Sequence, residues 1–273
     1  MLIVQISDTH IAGSGKKTYG IAPMSENLAR CVDHINQCDP KPDVVLVTGD
    51  ITSSGKMEEA EQAASLLSNL QSPIYIIPGN HDTQESLEAA FPEQACPSGF
   101  RGFSNYAIDT FDVRLIALDS TVPGAPGGEI CQTRAAWLDA RLSEDKERPT
   151  IIFMHHPPVK CGVLETDMDG FSGADRLGGV VEKYTNIEGI FCGHIHLPIH
   201  VRWRGTVVST APSMGMQLGL DLTLKHPSEF NLEAPGYQLH YWTPQQNLVT
   251  HTVYVRDVDG PYPFEDHHAT QPT

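Results

Sequence analysis

Val44-Val45-Leu46-Val47-Thr48-Gly49-Asp50 is the stretch to which we relate the rest of the sequence. Its run of β-branched and apolar residues is typical of a strand that is covered on both faces. Gly49 permits a tight turn after this strand, so Asp50 stands at the carboxyl end of a strand, where open α/β sheets hold their sites. Alone, the stretch gives weak support, because an aspartate that only caps its own turn has the same sequence pattern.

Four other stretches repeat this arrangement of an apolar run followed by polar side chains. They are Asp8-Thr9-His10, Gly79-Asn80-His81-Asp82, His155-His156-Pro157-Pro158 and Gly193-His194-Ile195-His196. The apolar runs before them are predicted strands: Leu2–Ile6, Ile74–Ile77, Ile151–Met154 and Ile187–Cys192. Together the five strand ends carry carboxylate, amide and imidazole groups.

This set of side chains indicates a metal centre. Imidazole nitrogens with carboxylate and amide oxygens suit Zn, Mn or Fe rather than Cu(I) or a thiolate cluster. Asp8 and His10 are two residues apart, a spacing that points both side chains the same way from an extended segment. The ligands are too many for one tetrahedral ion, so we predict two ions that share a bridging carboxylate. Asp50 is the predicted bridge.

The order of these motifs, D-x-H, G-D, G-N-H-D, H and G-H-x-H, resembles the calcineurin-like metallophosphoesterase superfamily. Within it, the chain is similar to bacterial class III cyclic-nucleotide phosphodiesterases and glycerophosphodiesterases. The likeness to the glycerophosphodiesterase branch extends to Lys17-Thr18-Tyr19-Gly20, Ile76-Ile77-Pro78 and the segment 152–158. It covers roughly residues 1–210. The motifs are specific for the fold and the dimetal site, and much less so for the substrate.

The resemblance implies an α/β fold, a four-layer αββα sandwich with a small cap or lid, and two ions at the strand ends. One ion would take Asp8, His10, Asp50 and His196, and the other would take Asp50, Asn80, His155 and His194. The family position gives the metal role to His155 and leaves His156 either beside the ligands or simply packed. The metals themselves stay open among Mn, Fe, Zn and Co.

Asn80 and His81 are the predicted catalytic residues. Asn80 offers a carbonyl oxygen to a metal while its amide group can donate to a phosphoryl oxygen. The resemblance implies that His81 lies near the leaving-group oxygen without binding metal, so we predict a general acid or transition-state stabiliser. A purely structural imidazole is the alternative.

The resemblance implies a metal-dependent phosphodiesterase that hydrolyses small phosphodiesters, either 3′,5′-cyclic nucleotides or glycerophosphodiesters, by in-line attack of a metal-bridging hydroxide. A phosphomonoesterase or protein phosphatase on the same site is the first alternative. It ranks lower because a dianionic phosphate is usually met by arginine, and the motifs contain none. A metal-bound scaffold without catalysis is the third interpretation.

Composition narrows the class of protein further. The chain has 273 residues, 40% hydrophobic and 19% charged, the composition of an ordinary globular protein. A net charge of −16 argues against a nucleic-acid polymer as partner. We find no N-terminal signal and no apolar stretch of about 20 residues, so we predict a soluble cytoplasmic protein without membrane contact. The six cysteines include no C-x-x-C pair and are predicted free thiols.

We predict one metallophosphoesterase domain over residues 1–260, followed by a flexible tail at 261–273. Segments 163–178 and 214–235 are predicted cap or lid elements, the second of them irregular. Alternating patterns at Tyr237–Thr243 and Val249–Val255 predict strands that close the second sheet. Lys16, Lys17 and Tyr19 either rim the site or belong to a solvated loop. Relatives are often dimers or larger, so the resemblance implies a homo-oligomer with contacts through the lid segments.

Overall fold

The computed structural model describes residues 1–94, 102–243, 245 and 247–262. Cys96 and residues 263–273 of the predicted tail lie outside this part, and the division at residue 260 stays a prediction. The six helices of the described chain are α1 Met24–Asn36, α2 Met57–Leu67, α3 Gln84–Ala90, α4 Gln132–Ser143, α5 Leu164–Asp169 and α6 Ala174–Val181. Its strands are β1 Leu2–Ile6, β2 Val44–Thr48, β3 Ile74–Ile77, β4 Tyr106–Ile108, β5 Arg114–Ala117, β6 Gly128–Glu129, β7 Thr150–Phe153, β8 Phe171–Ser172, β9 Ile187–Cys192, β10 Ile199–Trp203, β11 Thr206–Thr210, β12 Met216–Gly219, β13 Glu229–Leu232, β14 Gly236–Trp242 and β15 Leu248–Tyr254.

Two large mixed sheets form the centre of the fold. The first has the strand order β15-β14-β1-β2-β3, and the second has the order β10-β11-β9-β7-β5-β4. Within each sheet, the strands that precede the five motifs are parallel to one another: β1, β2 and β3 in the first, β7 and β9 in the second. Their carboxyl ends therefore lie at one edge of each sheet, and the two edges meet.

The two-residue repeat of the strands separates two hydrophobic cores. Ile3 and Leu46 pack in a cluster shared with residues of the second sheet such as Phe153. Their neighbours Val4 and Val47 pack instead with α1 and α2. Helices α4 and α6 contribute buried residues to the cluster on the second sheet. The layers are thus helix, sheet, sheet, helix, and the predicted αββα sandwich is confirmed.

The prediction that the last two strands close the second sheet is wrong. β14 pairs antiparallel with β1, and β15 pairs antiparallel with β14, so both extend the first sheet. Alternation along a strand predicts which side chains face the core, but it carries no information about which free sheet edge the strand joins. The parallel strands β1 to β3 leave one side of β1 free, and β14 pairs along it.

The two predicted lid segments contact each other. The irregular segment predicted at 214–235 contains a hairpin of β12 and β13. Segment 163–178 holds α5, β8 and the start of α6. Glu165 accepts hydrogen bonds from the backbone N–H and the hydroxyl of Ser228, which joins the first segment to the second. Within the described ranges, no helix combines the length and the apolar character needed to cross a membrane.

Candidate metal centre

Five of the predicted metal ligands have left-handed backbone conformations. The φ angles are 53° for Asp8, 40° for His10, 49° for Asp50, 70° for His194 and 57° for His196. Non-glycine residues rarely adopt this region, and strain of this kind concentrates at functional sites. The expectation that Asp8 and His10 leave an extended segment on the same side is therefore wrong in its geometry. The side chains converge through tight turns.

Asp50 lies at the centre of the cluster. Its Oδ2 is 3.5 Å from Nε2 of His10 and 3.4 Å from Nε2 of His155. Its Oδ1 accepts a hydrogen bond of 2.8 Å from the backbone N–H of His81. One oxygen is thus held by the backbone, while the other lies between two imidazoles from different motifs.

His155 presents an unprotonated nitrogen to two oxygens when its ring is neutral. Its Nδ1 is 2.7 Å from the carbonyl oxygen of Thr48, so this nitrogen carries the hydrogen and donates. Nε2 then has a lone pair, yet it lies 3.2 Å from Oδ1 of Asn80 and 3.4 Å from Oδ2 of Asp50. Three acceptor atoms converge, an arrangement that a proton on Nε2 or a cation between the atoms stabilises.

His196 repeats this arrangement on the other side of the cluster. Its Nδ1 donates to the carbonyl oxygen of Met216 at 2.7 Å. Its Nε2 lies 3.4 Å from Oδ1 of Asp8 and 3.1 Å from Nε2 of His10. No residue in the described ranges is a hydrogen-bond partner of the other His10 nitrogen, Nδ1, which is buried.

Asp8 and His194 link the motifs of the two sheets. Both oxygens of the Asp8 carboxylate accept the backbone N–H of His194 at 3.1 Å. The His194 ring lies 5.1 Å from the ring of His155, measured between centroids. All seven predicted ligands therefore lie in one cluster of contacts. Their role in binding metal is taken up below as a proposal.

The surroundings of the cluster shift the pKa values of its carboxylates and imidazoles in different directions. Burial would raise the pKa of Asp50, but His155 and His10 hold it well below its usual range. Burial would lower the pKa of His155, but the carboxylates of Asp50 and Asp8 raise it to about 9. Burial lowers the pKa of His10 to about 3, and burial with the charge of His155 lowers that of His194 to about 3.

His156, the second histidine of its pair, is held by other groups. Its Nδ1 bonds to the hydroxyl of Ser120 at 2.9 Å, and its Nε2 lies 3.1 Å from the carbonyl oxygen of Pro126. Both nitrogens are therefore used, although the ring lies near His155 and His194. Of the two roles left open for His156, the structure favours a packed residue that supports its neighbours.

His81 reaches the cluster with one nitrogen free of the backbone. Its Nδ1 donates to the carbonyl oxygen of Ser53 at 3.0 Å, and its ring centroid is 4.7 Å from that of His10. The carboxylate of Asp82, the next residue, accepts the backbone N–H groups of Ile51, Thr52 and Gly79, so it joins the second motif to the third. Burial and the charge of Asp50 raise the pKa of Asp82 to about 6.

Comparison with known proteins identifies the family. The family model for calcineurin-like phosphoesterases matches residues 1–198. This chain belongs to the calcineurin-like phosphoesterase family. Among curated proteins, it is 39% identical over 265 residues to a "probable glycerophosphodiester phosphodiesterase" of Arcobacter nitrofigilis, covering 97% of both chains. It is 30% identical to a "probable cyclic nucleotide phosphodiesterase" of Rhodopseudomonas palustris, covering 92% of this chain and 91% of the relative.

A solved structure confirms the fold of this family member independently. A dimetal phosphatase from Danio rerio superimposes with a TM-score of 0.67 at 14% identity, covering 94% of this chain and 97% of the other. The calcineurin-like phosphoesterase family uses a dinuclear metal centre. The described residues fit such a centre, because imidazole and carboxylate atoms of four overlapping groups lie within 4.8 Å of one another in each group.

Glycines before the metal-centre residues allow the strand ends to approach closely. A Cβ on Gly193 would lie 2.0 Å from Oγ of Ser7 and 2.8 Å from Oδ2 of Asp8. A Cβ on Gly49, whose φ is 87°, would lie 2.5 Å from Nδ1 of His155. Gly49 and Gly193 are thus required by the close approach of a motif from the other sheet.

Gly193→Ala should destabilise the protein by about 1–3 kcal/mol, the usual cost of forcing extra atoms into a packed site. The free energy of unfolding, measured by urea denaturation, tests this expectation. Gly179→Ala in α6 is the matched control, since a Cβ there meets nothing within 4 Å. Because alanine favours helix over glycine, Gly179→Ala should be neutral or stabilising. Equal stability of the two variants would contradict the close approach at Gly193.

Some groups that build the site were not predicted from the sequence. The Thr18 hydroxyl donates to the carbonyl oxygen of His10 at 2.6 Å and so fixes the loop that carries Tyr19. Lys16, which was predicted either to rim the site or to belong to a solvated loop, forms an ion pair with Glu58, with 3.7 Å between the charged atoms. The carbonyl oxygens of Met216 and Thr48 orient the two metal-centre histidines described above. Every residue type has a backbone carbonyl group, so the sequence does not show which residue will be the partner in such a contact.

Proposed function

We propose that this chain is a dinuclear metal-dependent phosphodiesterase that hydrolyses small phosphodiesters. The observation that supports it best is the convergence of acceptor atoms around Asp50. Nε2 of His155 lies 3.2 Å from Oδ1 of Asn80 and 3.4 Å from Oδ2 of Asp50, an arrangement suited to a bound cation. The names of the two relatives above support a diester as substrate.

The proposed ligands divide into two sets that share Asp50. Its Oδ2 lies between His10 and His155, each of which belongs to a different set. The proposed sets are Asp8, His10, Asp50 and His196 for one ion, and Asp50, Asn80, His155 and His194 for the other. Mixed imidazole and oxygen ligands suit Mn, Fe, Zn or Co, and we propose divalent ions of this group.

When bound, the two ions would neutralise charge on the phosphoryl group and lower the pKa of a water molecule that serves as nucleophile. Side chains of the protein would bind the phosphoryl group and protonate the leaving group. The side-chain NH₂ of Asn80 is a donor for a phosphoryl oxygen, because its Oδ1 faces His155. The His81 ring is held through Nδ1, which donates to the Ser53 carbonyl, so Nε2 faces the substrate. In the doubly protonated ring, Nε2–H would give its proton to the departing alkoxide and leave the ring neutral.

A diester suits the surroundings of the cluster better than a monoester does. Three cavities border it, and their linings include Asn80, His196 and His194 respectively. The first two linings contain no lysine or arginine among the described residues, and the third contains one lysine, Lys160. A monoester carries a second negative charge that such side chains usually meet. A singly charged diester with two organic arms has less need of them.

Turnover of a substrate panel with added Mn²⁺ tests the proposal. The panel is a chromogenic aryl diester, the matching monoester, cyclic AMP and glycerophosphoethanolamine. We expect diester turnover well above monoester turnover, and the ratio of the last two substrates places the enzyme between the two diester classes. Monoester turnover alone would contradict the proposed function while leaving the proposed metal site in place.

Metal binding should release between one and two protons at pH 7. The pKa of His155 is raised to about 9, so in the metal-free protein its ring holds a proton at pH 7 that ligation must displace. The pKa of His196 is also raised, mainly by the carboxylate of Asp8 against the effect of burial, so this ring holds a proton more often than a free imidazole does. As pH falls below about 9, metal affinity should drop about tenfold per pH unit for each displaced proton. Calorimetric titration in buffers of different ionisation enthalpy measures the release.

The same titration at a pH above the raised pKa of His155 is the control for proton release. There the ring is already neutral, so fewer protons should appear in the buffer. The carboxylates of Asp8 and Asp50 contribute none at either pH, because their pKa values are lowered by the neighbouring imidazoles against the effect of burial. Metal binding at pH 7 without proton release would mean that both imidazoles are neutral before the ions arrive.

A further inference from the structure

A cavity of about 200 Å³ opens directly beside the metal centre. His194 and His196 form part of its wall, so a molecule held by the centre extends into it. The rest of the wall includes two aromatic rings and two carboxylates that the proposed hydrolysis does not use: Tyr19, Phe230, Glu165 and Glu229. These four side chains come from the loop after β1, from α5 and from β13, and only the fold brings them together.

Tyr19 is held in an unusual conformation while its side chain stays exposed. Its φ is 52° and its side chain is 61% exposed, so neither backbone preference nor burial explains its position. The neighbouring Thr18 is buried and bonds to the carbonyl oxygen of His10. The Tyr19 ring lies 5.8 Å from that of Phe230, with 31° between the ring planes. The hydrogen bond from Thr18 to His10 therefore connects the loop that carries Tyr19 to the metal centre.

Two carboxylates, those of Glu165 and Glu229, belong to the cavity wall beside the imidazoles of His194 and His196. Glu165 accepts two hydrogen bonds from Ser228, and these lower its pKa, so the carboxylate stays ionised. Glu229 is exposed at the start of β13. Within the described residues, the wall has no lysine or arginine that would neutralise the pair. A positive group entering the cavity gains from both carboxylates and from the faces of the rings.

We propose that this cavity binds the cationic arm of the diester, an alkylammonium group such as that of a choline or ethanolamine ester. The inference rests on the proposed function and names the class of substrate. Aromatic faces together with carboxylates are the usual means of binding quaternary ammonium ions. An adenine ring would stack on Tyr19 and Phe230 but carries no positive charge to pair with the carboxylates of Glu165 and Glu229. The carboxylates therefore favour a cation over a nucleobase.

A pair of substrates that differ only in charge tests this inference. Glycerophosphocholine and its 3,3-dimethylbutyl analogue have the same shape, with carbon in place of the charged nitrogen. For the metal-loaded protein, kcat/KM should be about tenfold higher for the choline ester, the effect of a cation on ring faces with nearby carboxylates. Glu229→Gln and Tyr19→Leu should each lower this ratio several-fold.

Glu61→Gln is the matched control for charge, because Glu61 is exposed on α2, away from the cavity. It should keep the tenfold ratio. Methyl p-nitrophenyl phosphate, which has no cationic arm, reports whether Glu229→Gln and Tyr19→Leu remain folded and active. Equal turnover of the two matched esters by the unaltered protein would overturn the inference. The inference would also be overturned if Glu229→Gln and Tyr19→Leu both kept the tenfold ratio of kcat/KM.

Binding to the metal-free protein separates this inference from the proposed function. Choline should bind more tightly than 3,3-dimethylbutanol in a calorimetric titration after chelation, and Glu229→Gln should remove the difference. If no diester is hydrolysed but choline binding behaves as expected, the proposed function fails and the cationic cavity stands. If cyclic AMP is hydrolysed and its KM rises in Tyr19→Leu but not in Glu229→Gln, the cavity binds a base and the inference is overturned.

Discussion

Asp50→Ala should lose both metal ions together. Oδ2 of Asp50 lies 3.5 Å from Nε2 of His10 and 3.4 Å from Nε2 of His155, so one oxygen serves both proposed ligand sets. Its removal also leaves two imidazoles without the carboxylate that stabilises a positive charge between them. Metal analysis of the purified variant should find neither ion, and kcat/KM should fall by about a thousandfold or more, since two-metal sites contribute several kcal/mol.

Asp119→Asn is the matched control for Asp50→Ala. Asp119 is also a buried aspartate just beyond a strand, but its carboxylate accepts hydrogen bonds from the backbone of Ser104 and from Thr121. It should keep both ions. If Asp50→Ala retains one ion at full occupancy, the carboxylate of Asp50 is not shared between the two ions. That result would assign Asp50 to a single ion and require another group as the bridge.

The sequence predicted the parts of this fold that depend on local patterns. The runs before the five motifs became strands because buried β-branched segments bounded by glycine have few alternatives. Parallel strands place their carboxyl ends at one edge, so the meeting of Asp8, Asp50 and Asn80 followed from topology. The helical spacing of Met24, Leu28, Val32 and Ile35 predicts an amphipathic helix over Met24–Gln37, and the observed α1 is Met24–Asn36.

Long-range contacts account for what the sequence did not predict. The edge of β1 that receives β14 is chosen by packing of the whole sheet, which no local pattern records. The left-handed turns at Asp8 and His10 exist because surrounding contacts hold them against their intrinsic cost. The cavity beside His196 needs three distant segments, and the hairpin of β12 and β13 that completes it lies in a stretch predicted to be irregular.

His81→Ala should keep both metal ions and lose rate. The ring donates to the Ser53 carbonyl through Nδ1, and the backbone N–H of His81 bonds to Asp50, so only Nε2 is left for the substrate. General acid catalysis typically contributes about 10²–10⁴-fold. We therefore expect kcat for an alkyl diester to fall within that range, because an alkoxide leaves poorly without a proton. Metal analysis and steady-state kinetics on the same preparation check both halves.

The leaving group separates the roles open to His81. A p-nitrophenolate leaves without protonation, so His81→Ala should lose far less rate with an aryl diester than with an alkyl diester. Equal losses would mean that His81 stabilises charge or orients the phosphoryl group instead of donating a proton. Loss of one ion would make His81 a ligand, since its nitrogen lies within 4.8 Å of ligand atoms of His10 and Asp50. His251→Ala, which removes an exposed imidazole on β15, should change neither metal content nor rate.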